Sequence, residues 1–300
     1  MKSRKKTVLI TGALGQDGII LSKILLKKKY NVIGWIKKNK NKFLSKVKYY
    51  KVNLIDKEKI KKELTKINPN FIVHLASENP SFSERKTTKQ KSNLNIIASI
   101  NLINAIKELN LNTLFIFANS SQIFSYKNKI KEKDKIQITS DYTKFRIKIY
   151  QYLKILKKKY NFKFSNLTLF NHDSKYRNKK FLLPQIVSSI KNNNYDCLNK
   201  IYNYNIVADF SHAEDICNAI YLVIKKKITI DNLILSSGKK TEVNSIIKYL
   251  LKFSKKKFSF KKVENKKNKN IIGNNNLAKK ILKWKIKKNI YIAVKEMYNS

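Results

Sequence analysis

TGALGQDG, residues 11–18, sets three glycines within seven positions in a chain of 300 residues that holds only six. Before it runs the apolar triplet Val8, Leu9, Ile10, short and continuous enough for a strand buried on both faces. After it come Ile19, Ile20, Leu21, Ile24, Leu25 and Leu26, then Lys27, Lys28 and Lys29, which read as a helix with an apolar face and a basic end. Strand, glycine turn and helix place backbone N–H groups at a helix N-terminus, where a pyrophosphate can be received. In the spacing G-x-x-G-x-x-G, Gly12 permits the tight turn, Gly15 lets a phosphate approach the backbone, and Gly18 lets helix and strand pack closely. Flanked in this way, the stretch predicts dinucleotide binding.

The same alternation continues outward. Strands are predicted over residues 31–36, 47–52, 71–75, 114–118 and 164–170, and helices over 57–67, 93–109 and 140–159. Strands alternating with helices argue for an α/β fold with a parallel, doubly wound sheet, in which ligands sit at the C-terminal ends of the strands. That rim collects Gly12, Lys37, Glu78, Ser120, Gln122 and Asn171. The second strand runs into Lys37 and Lys38 with no acid to take a ribose 2′-hydroxyl, and two cations suit a 2′-phosphate, so NADP is expected over NAD. The loop after the third strand, with Asn53 and Leu54, is expected beside the adenine, and Asp56 reads as the N-cap of the next helix.

Beyond residue 170 the alternation loosens. Residues 171–204 are polar with one predicted helix, 183–190; a short extended piece follows at 206–210. Then come a helix at 213–224, a strand at 233–235 and a helix at 241–253. A lysine- and asparagine-rich stretch, 254–270, surrounds a candidate strand at 258–263, and helices at 275–282 and 291–298 close the chain. The expected division is a cofactor-binding domain, 1–170, and a smaller mixed substrate domain, 171–300, interleaved with the last sheet strands.

Composition bounds the alternatives. The formal charge is +47, but the lysines are spread along the whole chain in short runs such as 157–159, 225–227 and 255–257, mostly at helix ends. They read as a solvated basic surface, able to steer an anionic substrate, and not as a dedicated nucleic-acid site. No apolar run is long enough to span a membrane, and MKSRKK leads into the glycine turn without a signal h-region. His74, His172 and His212 form no metal cluster by spacing, and Cys197 and Cys217 are isolated, as expected of reduced thiols in the cytoplasm.

Four stretches resemble the extended short-chain dehydrogenase/reductase family of nucleotide-sugar enzymes, and within it the branch that dehydrates GDP-mannose. They are the glycine loop with Gln16-Asp17; Leu169-Phe170-Asn171-His172-Asp173-Ser174, with Arg177 and Phe181 beyond it; Asp209-Phe210-Ser211-His212-Ala213-Glu214-Asp215; and Ile272-Gly273 with the segment from Ala278 through Trp284. The resemblance implies a Rossmann sheet and a nucleotide-sugar substrate such as GDP-mannose. It implies an NADP site formed by Gly12, Gly15, Gln16, Asp17, Gly18, Lys37, Lys38, Asn53, Leu54, Leu75, Ala76, His172 and Arg177. Ser77, Asn171 and Phe181 are implied as substrate contacts, and a homo-oligomer assembled through helices on the sheet faces is expected.

The chemistry implied is internal redox: hydride leaves the sugar C4, a base removes the C5 proton, water leaves from C6, and hydride returns. Tyr142 takes the place of the family's tyrosine acid/base, and Ser120 can hydrogen-bond the C4 oxygen. Four positions depart from the family pattern. Arg146 stands where the family has lysine, Gln122 where it has the glutamate base, Ala208 where it has an arginine, and Asn53 where it has an aspartate. Arginine can stabilise a tyrosinate but does not reproduce a compact ammonium, and Lys144 lies on a different face of the helix. A neutral Gln122 is no base, so Glu78 becomes the candidate for the C5 proton. Three readings stay open: a dehydratase with a rearranged acid/base set, a 4-reductase or epimerase, and a non-catalytic NADP-binding protein of the same fold.

Overall fold

In the computed structural model, which describes residues 5–37, 44–80, 89–125, 129–261 and 271–300, each apolar run of the first half becomes a strand of one sheet. The order is β1 (Thr7–Thr11), α1 (Gln16–Lys27), β2 (Asn31–Ile36), β3 (Lys48–Lys51), α2 (Lys57–Ile67) and β4 (Phe71–His74). It continues with α3 (Lys89–Glu108), β5 (Leu114–Ser120), α4 (Asp141–Tyr160) and β6 (Phe164–Leu169). Then follow β7 (Asn171–Asp173), α5 (Leu182–Lys191), α6 (Tyr195–Asn203), β8 (Val207–Ala208), β9 (Phe210–His212) and α7 (Ala213–Lys226). The chain ends through β10 (Ile230–Leu235), β11 (Thr241–Glu242), α8 (Val243–Phe253), α9 (Asn276–Leu282) and α10 (Ile290–Tyr298).

The seven-stranded sheet runs β10-β6-β5-β4-β1-β2-β3, with every neighbouring pair parallel. From β1 the chain winds outward through β2 and β3, then returns to β4 on the other side and winds the opposite way. The crevice at the C-terminal ends of β1 and β4, where Thr11 is in register with His74, is therefore the switch point at which such sheets bind ligands. Alternate residues serve two cores. Leu9, Ile72 and Phe115 face Leu64, Ile103 and Leu153 of α2, α3 and α4. Val8, Val73 and Ile116 face Leu21, Ile220 and Leu282 of α1, α7 and α9. Burial on both faces is why these strands read as unbroken apolar runs. Across β5, β6 and β10 a polar chain crosses the buried sheet: Asn119 Nδ2 donates to Asn166 Oδ1 and Asn166 Nδ2 to Asn232 Oδ1, each at 3.0 Å. Each amide thereby finds a partner inside the fold, without which its burial would cost about 1–3 kcal/mol.

The C-terminal region is smaller and mixed. Its core gathers Ile186, Leu198, Ile247 and Val294 from α5, α6, α8 and α10, beside two small two-stranded sheets, β7–β9 and β8–β11. The tail is anchored at α7, where Asp215 Oδ2 accepts the backbone N–H groups of Lys287 (3.0 Å) and Lys288 (2.8 Å). Asp209 is fully buried and accepts four hydrogen bonds, from Ser237 N and Oγ, Gly238 N and Gly273 N.

Two expectations need correction. The polar stretch before residue 204 contains a second helix, α6, whose start is capped by Asn194 accepting from Cys197 N at 3.1 Å. Tyr195, Leu198, Ile201 and Tyr202 do recur at helical spacing, but over a helix of 9 residues, too short a run to stand out among the surrounding Asn and Lys. The candidate strand at 258–263 is absent over 258–261, and 262–263 lie outside the described residues. The alternating Phe258 and Phe260 stack instead on Tyr195 and Tyr202 of α6, with ring centroids 4.5 and 3.7 Å apart. A period of two therefore reflects two aromatic seats on a helix and no sheet pairing.

Candidate active site

Gly12 ends β1 with φ +70°, a left-handed conformation in which a Cβ would also meet Ala76 N at 2.9 Å. Gly18 sits where a Cβ would come within 2.6 Å of Gly12 O, so helix and turn close only on glycine. Gly15 is exposed and stands as the N-cap of α1 without a side-chain cap, leaving first-turn N–H groups to face the groove. This cradle fits a dinucleotide pyrophosphate.

Three clefts open along the switch point. The first, of about 500 Å³, is lined by Gly12, Trp35, Lys37, Asn53, Leu54 and Ala76 among others, and suits an adenosine. Asn101 Nδ2 holds its floor by donating to Leu54 O and Ile55 O, and Asp56 caps α2 as expected, accepting from Lys59 N at 2.9 Å. At its mouth Lys37 Nζ lies 3.0 Å from Glu78 Oε1. Lys38 lies outside the described residues. The second groove, about 570 Å³, passes over Gly12, Gly15, Gln16 and Gly18 beneath Arg177 and Phe181.

The third cleft, about 410 Å³, brings together Ser77, Ser120, Gln122, Tyr142, Asn171 and Phe181. It shares Asp17, Leu75, Ser77, Asn79 and Arg177 with the glycine groove, so the two open into one another. Tyr142 occupies the first turn of α4, a helix fixed by a reciprocal cap: Thr143 N donates to Ser140 Oγ and Ser140 N to Thr143 Oγ1. Arg146, one turn on, reaches across to Ala118 O (2.5 Å), Ser77 Oγ (2.8 Å) and Asn79 Oδ1 (2.9 Å). Its guanidinium carbon lies 5.0 Å from the Tyr142 ring centroid. It thus ties the loop after β4 to the end of β5 while lying over the tyrosine ring. Glu78 lines the adenosine cleft and the glycine groove but not the cleft of Tyr142, Ser120 and Gln122, and its side chain pairs with Lys37. Ala208 is half-buried in β8, paired with Thr241.

Where the clefts meet, His172 Nδ1 donates to Phe170 O (2.6 Å) and His172 Nε2 lies 2.9 Å from Asp17 Oδ2. Both partners are acceptors, so both ring nitrogens donate and the ring is an imidazolium. Burial alone would depress the His172 pKa, but the Asp17 carboxylate outweighs it and the net direction is upward. For Asp17, burial pushes up and the charge and hydrogen bond of His172 outweigh it, with Arg177 and the Gln16 amide helping, so the carboxyl is held low. Gln16 Nε2 donates to both Asp17 Oδ1 and His172 O, at 3.1 Å each, and takes a hydrogen bond from Ser174. Arg177 Nε lies 3.2 Å from Asp173 Oδ1, near enough for charge but not aligned for a hydrogen bond. Burial pushes the Asp173 carboxyl up against the pull of that arginine.

Sequence reasoning missed the residues that hold the loop after β4. Ala76 N donates to Thr11 Oγ1, which pairs with His74 Nδ1 at 2.8 Å; His74 Nε2 pairs with Ser99 Oγ at 2.9 Å, and Ser99 donates to Asn95 O. Burial, with Arg146 nearby, depresses His74 to about 3, so it is neutral and structural. Asn95 then grips Glu78 by both backbone groups, at 3.1 and 3.2 Å. Only the spacing of polar residues inside an otherwise apolar helix could have signalled this.

A sequence profile of the GDP-mannose 4,6 dehydratase family matches residues 9–297. The chain belongs to the GDP-mannose 4,6-dehydratase family. The GDP-mannose 4,6 dehydratase of Dictyostelium discoideum is 24% identical, over 99% of this chain and 96% of that protein. The GDP-mannose 4,6-dehydratase sdnI of Sordaria araneosa is 23% identical over 83% of this chain, which spans only 48% of that relative's length. Among solved structures, dTDP-glucose 4,6-dehydratase of Bacillus anthracis in complex with NAD superposes with a TM-score of 0.83 at 15% identity, covering 98% of this chain and 96% of that one. UDP-glucose 4-epimerase of Thermotoga maritima with UDP-glucose gives 0.83 at 18% identity, covering 98% and 97%. The family is one of NAD(P)-dependent nucleotide-sugar dehydratases and epimerases, and the fold of this chain is theirs. Among the described residues no helix is long and apolar enough to cross a membrane, and no group of three or more His, Cys, Asp or Glu is placed to hold a metal.

Proposed function

We propose that this chain is a nucleotide-sugar 4,6-dehydratase acting through NADP on GDP-mannose or a close relative. The observation that carries the reading is the meeting of the Ser120–Tyr142 cleft with the glycine groove, through shared Leu75, Ser77 and Asn79. Gly12, Gly15, Gln16 and Gly18 would hold the pyrophosphate, Asn53 and Leu54 the adenine, Leu75 and Ala76 the strand-end side of the dinucleotide, and Lys37 a 2′-phosphate. The bound nicotinamide supplies hydride acceptance and return. Tyr142 takes the proton of the C4 hydroxyl while Ser120 fixes the C4 oxygen. Arg146, lying over the tyrosine ring, stabilises negative charge that develops there. His172 and Arg177 fix the junction, and Ser77, Asn171 and Phe181 wall the sugar. A homo-oligomer in the cytoplasm suits the family and the two free cysteines.

One observation favours a second reading. Gln122 stands at the family's base position, and among the described residues the only carboxylate lining the Tyr142 cleft is Asp17, which is committed to His172. With no free carboxylate among those residues, the lining supports C4 oxidation and reduction more directly than C5 deprotonation, which fits a 4-reductase or epimerase. Incubation with GDP-mannose and NADP, read by product mass, separates the two. Loss of one water supports the dehydratase; a 4-keto sugar two hydrogens lighter, formed with one equivalent of NADPH, or an isomer of unchanged mass resolved by chromatography, supports the alternative. Cofactor binding with no product after prolonged incubation would make the chain a non-catalytic member of the fold.

A further inference from the structure

The ion pair at the mouth of the adenosine cleft joins two elements that approach the cofactor from opposite sides. Lys37 follows β2 and Glu78 lies on the loop after β4, forty-one positions away, with Nζ and Oε1 3.0 Å apart. Glu78 is not there by free rotation of a loose loop, because Asn95 of α3 grips its backbone N–H and C=O. Asn95 is itself held through Ser99 to the buried His74. Acids are scarce in this chain, 19 against 66 basic residues, yet one is fixed beside the cation that the cofactor reading needs.

We propose that Glu78 sets the discrimination between NADP and NAD by competing with a 2′-phosphate for Lys37. This rests on the dinucleotide reading of the cleft. A 2′-phosphate brings about two negative charges at neutral pH, as phosphate monoesters do. To reach Lys37 it must displace Glu78 or sit beside it, and either way like charges meet. A 2′-hydroxyl carries no charge and can donate a hydrogen bond to the Glu78 carboxylate while the Lys37 pair stays closed. In Rossmann folds an acid at the end of the second strand normally does this; here the acid comes from the loop after β4. Glu78 therefore narrows the preference for NADP that Lys37 creates.

Dissociation constants for NADP and NAD, measured by calorimetry on the parent, Glu78→Gln and Lys37→Ala, test this. Glutamine keeps the length and the Asn95 grip on the backbone but removes the charge. Because both side chains are largely open to solvent, at 76% and 47% exposed, the effect is modest. Glu78→Gln should tighten NADP about two- to fivefold, the range of an exposed charge pair, and leave NAD unchanged or slightly weaker. Lys37→Ala should move NADP in the opposite direction. Unchanged or weaker NADP binding in Glu78→Gln overturns the proposal while leaving the cofactor reading intact. Failure of the parent to bind either dinucleotide overturns the cofactor reading, and this inference with it.

Discussion

Tyr142 is 6% exposed, in the first turn of a capped helix, beneath a guanidinium that is itself tied to two strand-end loops. In the proposed function this hydroxyl is the acid/base, and its removal takes away one atom of a side chain whose ring stays packed. Tyr142→Phe should lower turnover about 10²- to 10⁴-fold, the range of a lost acid/base group, and leave NADP affinity and melting temperature close to the parent. Turnover within a few-fold of the parent removes Tyr142 from the chemistry. Gln122 invites the converse experiment. It follows Ser120, whose Oγ accepts from Gln122 N at 3.3 Å, so its backbone position is set by the turn and survives a change of side chain. Gln122→Glu restores a carboxylate to the cleft and should raise C5 proton exchange into heavy water, with product mass shifting toward loss of water. If the variant exchanges no faster than the parent, the C5 base is not at this position. At this scale what was legible is local placement: the glycines fall at the turn after β1, and Tyr142 and Gln122 line one cleft, their roles there being part of the proposed function. Glu78 lies on the strand-end rim as expected, but its pairing with Lys37 in particular was not legible, because the two come together only through the winding of the sheet.

Between elements, the Asp17–His172 pair joins the first turn of α1 to β7, and with it the glycine groove to the Tyr142 cleft. Its dependence on pH follows from the two directions. His172 is raised above its usual 6.5, so its share of stability is complete below 6.5 and is lost as pH rises through the elevated folded value. Asp17 is lowered below 3.8, so its share is present above 3.8 and is lost as pH falls through the depressed folded value. The pair is therefore whole between these limits, and above neutrality it fails as the imidazolium loses its proton. Thermal unfolding followed from pH 6 upward should show a melting temperature that falls in the parent and falls less in His172→Gln. The substitution itself should cost about 3 kcal/mol near pH 6, as expected when one partner of a buried pair is removed. Parallel pH profiles for the two proteins would assign the alkaline loss to another group. Of the elements at the ends of this contact, α1 was legible from its periodicity, whereas β7 lies in a stretch that reads as polar with one helix. The contact itself was not legible, since nothing in a linear pattern says that residue 17 meets residue 172. The unpredicted α6 and the strand expected at 258–263 but absent over 258–261 meet each other, where Tyr195 and Tyr202 stack on Phe258 and Phe260. Tertiary packing overrides local pattern wherever the local pattern is thin.

For the whole molecule the decisive quantity is the charge of +47 on 300 residues. The doubly wound sheet distributes it. Lysine runs at the ends of α4 and α7 meet the negative ends of those helix dipoles, which accounts for their tolerance without assigning them a partner. The clefts at the switch point are different, since Lys37, Lys91, Arg146, Arg177 and Lys180 all line them. These five cations outnumber the two acids there, Asp17 and Glu78, and a concave site with net positive lining on a molecule of the same sign focuses its field on an incoming anion. Nucleotide sugars and dinucleotides are such anions, so capture should be steered. The association rate constant for GDP-mannose or NADP, followed by stopped flow, should fall about tenfold or more as salt rises from 0.02 to 0.5 M, as steered encounters do. The dissociation rate constant should change much less, because contacts inside the clefts are screened weakly once formed. Nucleic acid, held by the spread surface lysines alone, should lose nearly all its binding over the same salt range, for want of any buried contact. An association rate indifferent to salt would mean that the charge acts only on the surface and that the clefts draw no advantage from it.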